Sequence, residues 1–154
     1  MEAEIQKFKL KGRVYLWKYK ELENRYPGWN LATDADGCDS LVKLLNLMDT
    51  SELPSKKTVP TEVPTKLQLK VPNYQQGLAS WRAAKYLTLN FKKQGQISEW
   101  NITENGEEVE VRFGVGKLNQ LRTAIAGIPQ GKGDFAISDS DEENILYFWW
   151  NLEN

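Results

Sequence analysis

The strongest constraint on the fold is a change of hydrophobic period just after Phe113. From Glu108 to Phe113 charged and apolar residues alternate, which is typical of a strand with one buried face and one wet face. Beyond it, apolar residues recur at spacings of three and four, which predicts a helix over Gly116–Gly127. Its apolar stripe consists of Leu118, Leu121, Ile125 and Ile128. A strand that leads directly into an amphipathic helix indicates a sheet on which that helix packs.

Two hairpins are predicted around this strand–helix unit. Asn105 and Gly106 tolerate positive φ angles, so we expect these two residues at the centre of a primed turn. Two further strands are predicted at Asp134–Ile137 and Ile145–Trp150, joined by an acidic turn. Because Ile145–Trp150 is apolar at every position, it predicts either a strand covered on both faces or an exposed aromatic patch.

The first half of the chain is less regular. Alternating basic and apolar residues predict a strand from about Ile5 to Trp17 with a basic outer face. A short helix over Tyr19–Arg25 and a turn-like segment over Asn30–Asp36 are expected to follow. Leucines at helical spacing then predict a second principal helix over Gly37–Asp49, and alternation predicts a strand over Tyr86–Phe91.

Four of the six prolines fall between Leu53 and Pro72, which favours an extended crossing on the surface over residues 53–72. An edge strand at Lys66–Val71 is compatible with this segment, and a linker between two domains is the alternative. A chain of 154 residues fits one domain. We therefore predict a single α+β domain over residues 1–154, with a largely antiparallel β-sheet and two principal helices packed against it.

The complete absence of histidine disfavours more kinds of catalytic and metal-binding site than any other feature of the composition. Histidine is the commonest general base and metal ligand, and the chain has one cysteine, Cys38. We therefore predict no metal site, no cofactor and no catalytic residue, and an enzyme is less favoured than a binding protein. Since the N-terminus lacks the apolar core of a signal peptide and no apolar run spans a bilayer, we expect a cytoplasmic protein that does not bind membranes.

Three local motifs suggest chemistry but are incomplete. The glycines of Gly114-Val115-Gly116 precede a helix, as in phosphate loops, but the third glycine and the Lys-Ser/Thr pair are missing. The acidic segment Asp34–Asp39 has its glycine at the wrong position for a calcium loop, so helix capping is favoured. Glu108 and Glu110 share one strand face, and nothing local places them across a cleft from each other.

Charge is arranged in blocks along the chain. Residues 1–20 carry six basic and two acidic groups, and residues 21–52 carry two basic and seven acidic groups. Residues 53–93 carry eight basic groups and one acidic group, and residues 94–154 carry four basic and eleven acidic groups. One interpretation is that oppositely charged segments lie side by side on the sheet and neutralise each other. The other is that two patches of opposite sign remain on the surface.

These observations favour a non-catalytic protein-binding module, such as a small inhibitor, adaptor or immunity-type protein, whose partner is a protein, an acidic one first. The candidate binding residues are aromatic and basic: Trp17, Tyr147, Trp149, Trp150, Lys9, Lys11 and Arg13. One alternative is a small carboxylate-dependent hydrolase or a carbohydrate-binding module that uses tryptophan faces. Another is a single-stranded nucleic-acid binder, which the acidic C-terminal third disfavours. The sequence does not indicate the oligomeric state.

Overall fold

The computed structural model describes residues 2–19, 28–65, 68, 81–130, 135–141 and 143–149. Three α-helices and nine β-strands lie in these ranges. The helices are α1 (Glu2–Lys7), α2 (Ala35–Thr50) and α3 (Val115–Gly127), and a 3₁₀ turn (Ile128–Gln130) follows α3. The strands are β1 (Val14–Tyr19), β2 (Trp29–Thr33), β3 (Ser55–Pro60), β4 (Trp81–Ala83), β5 (Tyr86–Phe91), β6 (Trp100–Asn105), β7 (Glu108–Phe113), β8 (Phe135–Ser138) and β9 (Ile145–Phe148).

The predicted α+β class, with mostly antiparallel strands and two principal helices, is confirmed, but the strands form two sheets. The five-stranded sheet has the order β4-β1-β2-β9-β8, and the four-stranded sheet has the order β3-β5-β7-β6. Each contains one parallel pair, β2–β9 in the first and β5–β7 in the second. The chain changes sheets within two residues. Ala84 N–H donates to the carbonyl of Leu16 in the five-stranded sheet, and Lys85 N–H donates to that of Glu107 beside the four-stranded sheet.

One cluster of buried apolar side chains, the main core, includes residues from both sheets and from the two long helices. The predicted stripe of α3 is buried, with Leu118, Leu121, Ile125 and Ile128 at most 2% exposed. Removing a leucine or isoleucine side chain from water contributes roughly 1.5–3 kcal/mol, so this stripe anchors α3. None of the described helices combines the length and the apolar character that a membrane crossing requires.

Helix α2 begins two residues before its predicted start because Asp34 caps it. The Asp34 Oδ1 atom accepts the backbone N–H of Gly37 at 2.7 Å, which satisfies a donor that the first helical turn leaves unpaired. The same oxygen accepts the N–H of Arg13 at 2.8 Å. Asp34 is therefore a helix cap, as predicted, and it also ties the preceding segment to α2.

Two predictions for the N-terminal half are wrong. The predicted strand from Ile5 to Trp17 contains a helix at Glu2–Lys7 and reaches extended pairing only at Val14. The predicted turn at Asn30–Asp36 contains strand β2, which is buried at every position. The predicted helix over Tyr19–Arg25 starts with Tyr19, the last residue of β1, and its other residues lie outside the described ranges, as does the Lys66–Val71 edge strand apart from Gln68.

The hairpin after Ile97 is present, but its turn is one residue later than predicted. Asn105 pairs with Glu108, so the two loop residues are Gly106 and Glu107 rather than Asn105 and Gly106. Gly106 has a φ of +66°, the positive value that the first central residue of a primed turn requires. The second predicted hairpin is also present, as β8 and β9; β8 extends one residue further than predicted, to Ser138, and β9 ends at Phe148.

Candidate functional site

The predicted aromatic binding residues lie mainly in a buried cluster. Tyr15, Trp17 and Tyr19 alternate along β1 with residues of the main core, and they pack with Ala32 and Trp149. We call this set the outer aromatic cluster. Trp17 is 0% exposed and Trp149 is 6% exposed, so these two rings fit the covered strand, the first of the two alternatives for Ile145–Trp150, rather than the exposed patch. Tyr147 is half-buried and stacks on Trp149, with ring centroids 6.3 Å apart. Trp150 lies outside the described residues.

A buried asparagine organises this cluster. Asn30 is fully buried in β2, and its Nδ2 donates to the carbonyl of Trp17 at 3.2 Å. Its Oδ1 accepts the indole N–H of Trp149 at 2.7 Å. A buried amide is tolerated when both of its ends are hydrogen-bonded. Asn30 therefore fixes the position of Trp149 relative to Trp17, and these rings are part of the interior.

The predicted basic residues lie in a different place. Lys9, Lys11 and Arg13 are exposed on the segment between α1 and β1. This segment is held against α2 by a two-way contact, in which Lys11 N–H donates to Ser40 Oγ at 2.9 Å and the hydroxyl donates back to the Lys11 carbonyl at 2.8 Å. The hydrogen bond from Arg13 N–H to Asp34 Oδ1 is a second contact that holds the segment on α2. The backbone that carries these cations is therefore fixed.

Gly12 allows this close approach. Its φ is +90°, which L-amino acids with side chains rarely adopt, and a Cβ atom there would lie 2.2 Å from the backbone nitrogen of Gly37. The Gly37 position is equally tight, because its Cβ would lie 2.1 Å from the Arg13 carbonyl oxygen. Two glycines thus let the segment lie directly on the first turn of α2.

A groove of about 630 Å³ separates the N-terminal segment from α2, and we call it the N-terminal groove. Its N-terminal wall carries Lys7, Lys9 and Lys11 together with one carboxylate, Glu4, and its helix wall carries Asp36, Asp39 and Lys43. Phe8 and Leu47 also line it, both half-buried and packed against the main core from above. The groove therefore combines an apolar floor with charged rims, and it includes two of the predicted site residues, Lys9 and Lys11.

The lysines of this groove differ from three basic residues of residues 53–93, which form ion pairs. On the strands the blocks of charge pair off: Lys56 with Glu110 at 3.5 Å, Arg82 with Glu104 at 2.5 Å and Lys85 with Glu107 at 3.0 Å. These pairs join residues 53–93 to residues 94–154, as the neutralising interpretation expects. Within the described ranges, no ion pair joins a groove lysine to a carboxylate. Lys7, Lys9, Lys11 and Lys43 therefore form no ion pair with the described carboxylates.

The glycine-rich start of α3 is already occupied by the protein itself. The N–H of Gly116 donates to the Ile97 carbonyl at 2.8 Å, and the N–H of Gly114 donates to the Glu99 carbonyl at 2.9 Å. A Cβ atom at Gly114 would lie 2.1 Å from the Gln96 carbonyl oxygen. The glycines therefore accommodate a neighbouring loop, which supports the plain strand-to-helix turn over an anion site.

The carboxylates of β7 are engaged in hydrogen bonds on the outer face of the four-stranded sheet. Glu108 Oε2 accepts the hydroxyl of Thr88 at 2.5 Å, and Glu110 Oε2 accepts the amide of Asn90 at 3.1 Å. The bond from Asn90 holds the pKa of Glu110 below its usual range, and the nearby Lys56 charge acts in the same direction. Glu108 and Glu110 lie on the same strand face rather than across a cleft from each other, which gives no support to a two-carboxylate hydrolase. Among the described residues, no group of three potential ligands is arranged to hold a metal ion.

The tryptophans give little support to sugar binding. Four of the five in the described ranges are at most 6% exposed: Trp17, Trp29, Trp100 and Trp149. The fifth, Trp81, is 36% exposed at the end of the short strand β4. A carbohydrate platform needs an open ring face beside polar groups, and the buried rings do not provide one.

The chain gives no match to protein-family models, to curated proteins or to solved structures. Sequence reasoning found Lys9 and Lys11 but missed Lys7, Phe8, Lys43 and Leu47. The signal for the last two was present, since Lys43 and Leu47 are four residues apart on one flank of the predicted helix α2. Phe8 was assigned to a strand, which hid its position beside that flank.

Proposed function

We propose that the protein is a non-catalytic, cytoplasmic module that binds another protein through the N-terminal groove, as a small inhibitor, adaptor or immunity-type protein does. The observation that carries this proposal is the set of lysines without ion pairs around a half-buried apolar floor, on a backbone fixed by Ser40 and Asp34. By contrast, Lys56, Arg82 and Lys85 of residues 53–93 form ion pairs with the protein's own carboxylates.

Each part of the groove has a role in such binding. Unneutralised lysines attract an oppositely charged partner over a distance and increase its association rate. The apolar floor supplies the part of the contact that strengthens when water is excluded. A fixed backbone lowers the conformational entropy lost on binding, because the lysines are already placed before the partner arrives.

The test is a pull-down from the native cell lysate at low and high salt, followed by hydrogen exchange on the purified complex. Wild-type protein should retain a partner at low salt, and the complex should protect amides of residues 4–11 and 36–47. The double variant Lys9→Glu/Lys11→Glu should lose that partner.

The matched control is Lys56→Glu/Lys85→Glu, which changes the net charge equally but lies on the four-stranded sheet. It should keep the partner. Retention by the groove variant, or a protected surface that leaves out the groove, would contradict the proposal.

A further inference from the structure

We infer that the segment docked in the N-terminal groove is a short protein segment that carries carboxylates beside an apolar side chain. This inference rests on the proposed function and specifies its partner. It combines three features of the groove, namely its floor, its basic wall and its acidic helix wall, each of which limits the chemistry of the occupant.

The floor selects an apolar group. Phe8 and Leu47 are packed against the main core on one side and remain half-exposed on the other. An apolar side chain seated between them removes that remaining surface from water, at roughly 25 cal/mol per Å². A purely polar ligand would leave this surface in contact with water or with unmatched polar groups.

The basic wall selects carboxylates. Lys7, Lys9 and Lys11 have no ion pair with the acidic residues across the groove, although Asp36 and Asp39 line the same space. Ser40 holds the backbone of Lys11, and the Lys11 side chain lines the groove. Carboxylates presented along this wall would make ion pairs that the free protein lacks.

The helix wall disfavours nucleic acid. Asp36 and Asp39 lie opposite the lysines and repel a phosphate chain, which presents negative charge along its whole length. Single-stranded nucleic acid also binds by stacking bases on open aromatic faces, and Tyr15, Trp17 and Tyr19 are buried. A protein segment avoids both problems, because its carboxylates can be confined to the side that faces the lysines.

The length of the groove limits the segment. The helix wall runs from Asp36 to Leu47, which is roughly 16 Å at 1.5 Å per residue. About five residues of extended chain cover that distance at ~3.3 Å each. The inferred occupant is therefore a stretch of about five residues with one apolar anchor.

Fluorescence anisotropy with the full chain and four labelled probes tests this inference. The first probe is a peptide with the core Ser-Glu-Leu-Glu-Ser between Gly-Ser flanks, which in an extended chain places both glutamates on one side and the leucine on the other. The second replaces the leucine with serine, the third replaces the glutamates with lysines, and the fourth is a single-stranded oligothymidine. We expect the first probe to bind at least tenfold more tightly than each of the others. Lys9→Glu/Lys11→Glu should weaken it at least tenfold, and Lys56→Glu/Lys85→Glu should leave it unchanged.

Equal binding of the serine peptide would show that the apolar floor is not used, and tighter binding of the lysine peptide or the oligothymidine would show that the charge assignment is wrong. No binding of the first probe would also overturn the inference. These results are distinct from failure of the proposed function. A captured partner that protects the groove through a basic or wholly polar segment removes only the inference, whereas a partner that protects another surface removes the proposed function itself.

Discussion

The outer aromatic cluster and the N-terminal groove include residues that are close in sequence but differ in burial and in charge. Lys9, Lys11 and Arg13 are exposed, whereas Tyr15 and Trp17, only a few residues later, are at most 2% exposed. From the sequence, Trp17 was grouped with Lys9, Lys11 and Arg13 among the candidate binding residues. The structure separates them where β1 begins, because residues before Val14 lie on α2 and those after it enter a sheet whose two faces are both buried there.

The difference shows how alternation should be interpreted. A period of two indicates that two faces exist, but it does not tell which of them meets water. In β1 the main core takes Val14 and Leu16, and the outer cluster takes Tyr15, Trp17 and Tyr19. We therefore expect the cluster to contribute to stability and the groove to contribute to recognition, and four variants test that division.

The largest effect is expected for Trp17→Ala. Truncating a fully buried tryptophan should lower the free energy of unfolding by about 3–5 kcal/mol, because it removes apolar contacts and leaves a cavity. Urea denaturation followed by circular dichroism measures this loss. Trp81→Ala, at a position that is 36% exposed, is the matched control and should cost clearly less. Equal costs at the two positions would mean that the cluster is not part of the interior.

Asn30→Ala should have the next largest effect. It leaves the indole N–H of Trp149 and the carbonyl of Trp17 without their partner inside a buried site, which costs about 1–3 kcal/mol. Asn46→Ala serves as the control, since Asn46 is exposed and contacts Arg122 at the surface. Denaturation midpoints that shift equally for both variants would remove the structural role assigned to Asn30.

A smaller and pH-dependent effect is expected at Tyr19. Burial raises the pKa of Tyr19 to about 12 from its ordinary value of 10.0. Because the folded pKa is the higher one, the stabilising contribution is complete below pH 10 and is lost as the pH rises from 10 towards 12. Denaturation across this range should show a shallower decline for Tyr19→Phe than for the wild type. Tyr86→Phe, at an exposed position, should follow the wild type, and identical profiles for all three proteins would contradict burial of the Tyr19 hydroxyl.

The smallest change in stability is expected for the groove variant Lys9→Glu/Lys11→Glu. Substitutions at exposed positions away from packed groups usually stay within about 0.5 kcal/mol. The same variant is expected to lose its partner, so stability and binding should separate here and not at Trp17. Calorimetric melting of the free protein measures the first quantity. A loss of several kcal/mol would show that the two regions are not independent.

Much of the fold follows from local patterns. The spacing of Leu41, Leu44, Leu45 and Met48 predicted α2, and all four are fully buried. Alternation predicted β5 and β7, whose core-facing residues are buried as expected. These elements are predictable because each one contributes a single apolar face to the main core, and a single face leaves a clear period in the sequence.

The elements that were missed depend on distant partners. Strand β2 was predicted as a turn from residues such as Asn30. The Asn30 amide donates to the carbonyl of Trp17 and accepts the indole N–H of Trp149, 119 residues further along the chain. Helix α1 and the irregular segment after it alternate in sequence like a strand, but Ser40 and Asp34 hold that segment on α2. The groove was missed for the same reason, since its two walls meet only through those contacts.

The parallel pairing of β2 with β9 affects how the protein can fold while it is being synthesised. Trp29 and Leu31 of β2 pair with Leu146 and Phe148, so one neighbour of this central strand is among the last parts of the described chain to emerge from the ribosome. At a synthesis rate of about 5–20 residues per second, β9 is made roughly 6 to 23 s after β2. Closing so long a loop also slows folding. During that interval an apolar strand edge lies open to other chains, so the nascent protein is more exposed to aggregation than the finished one.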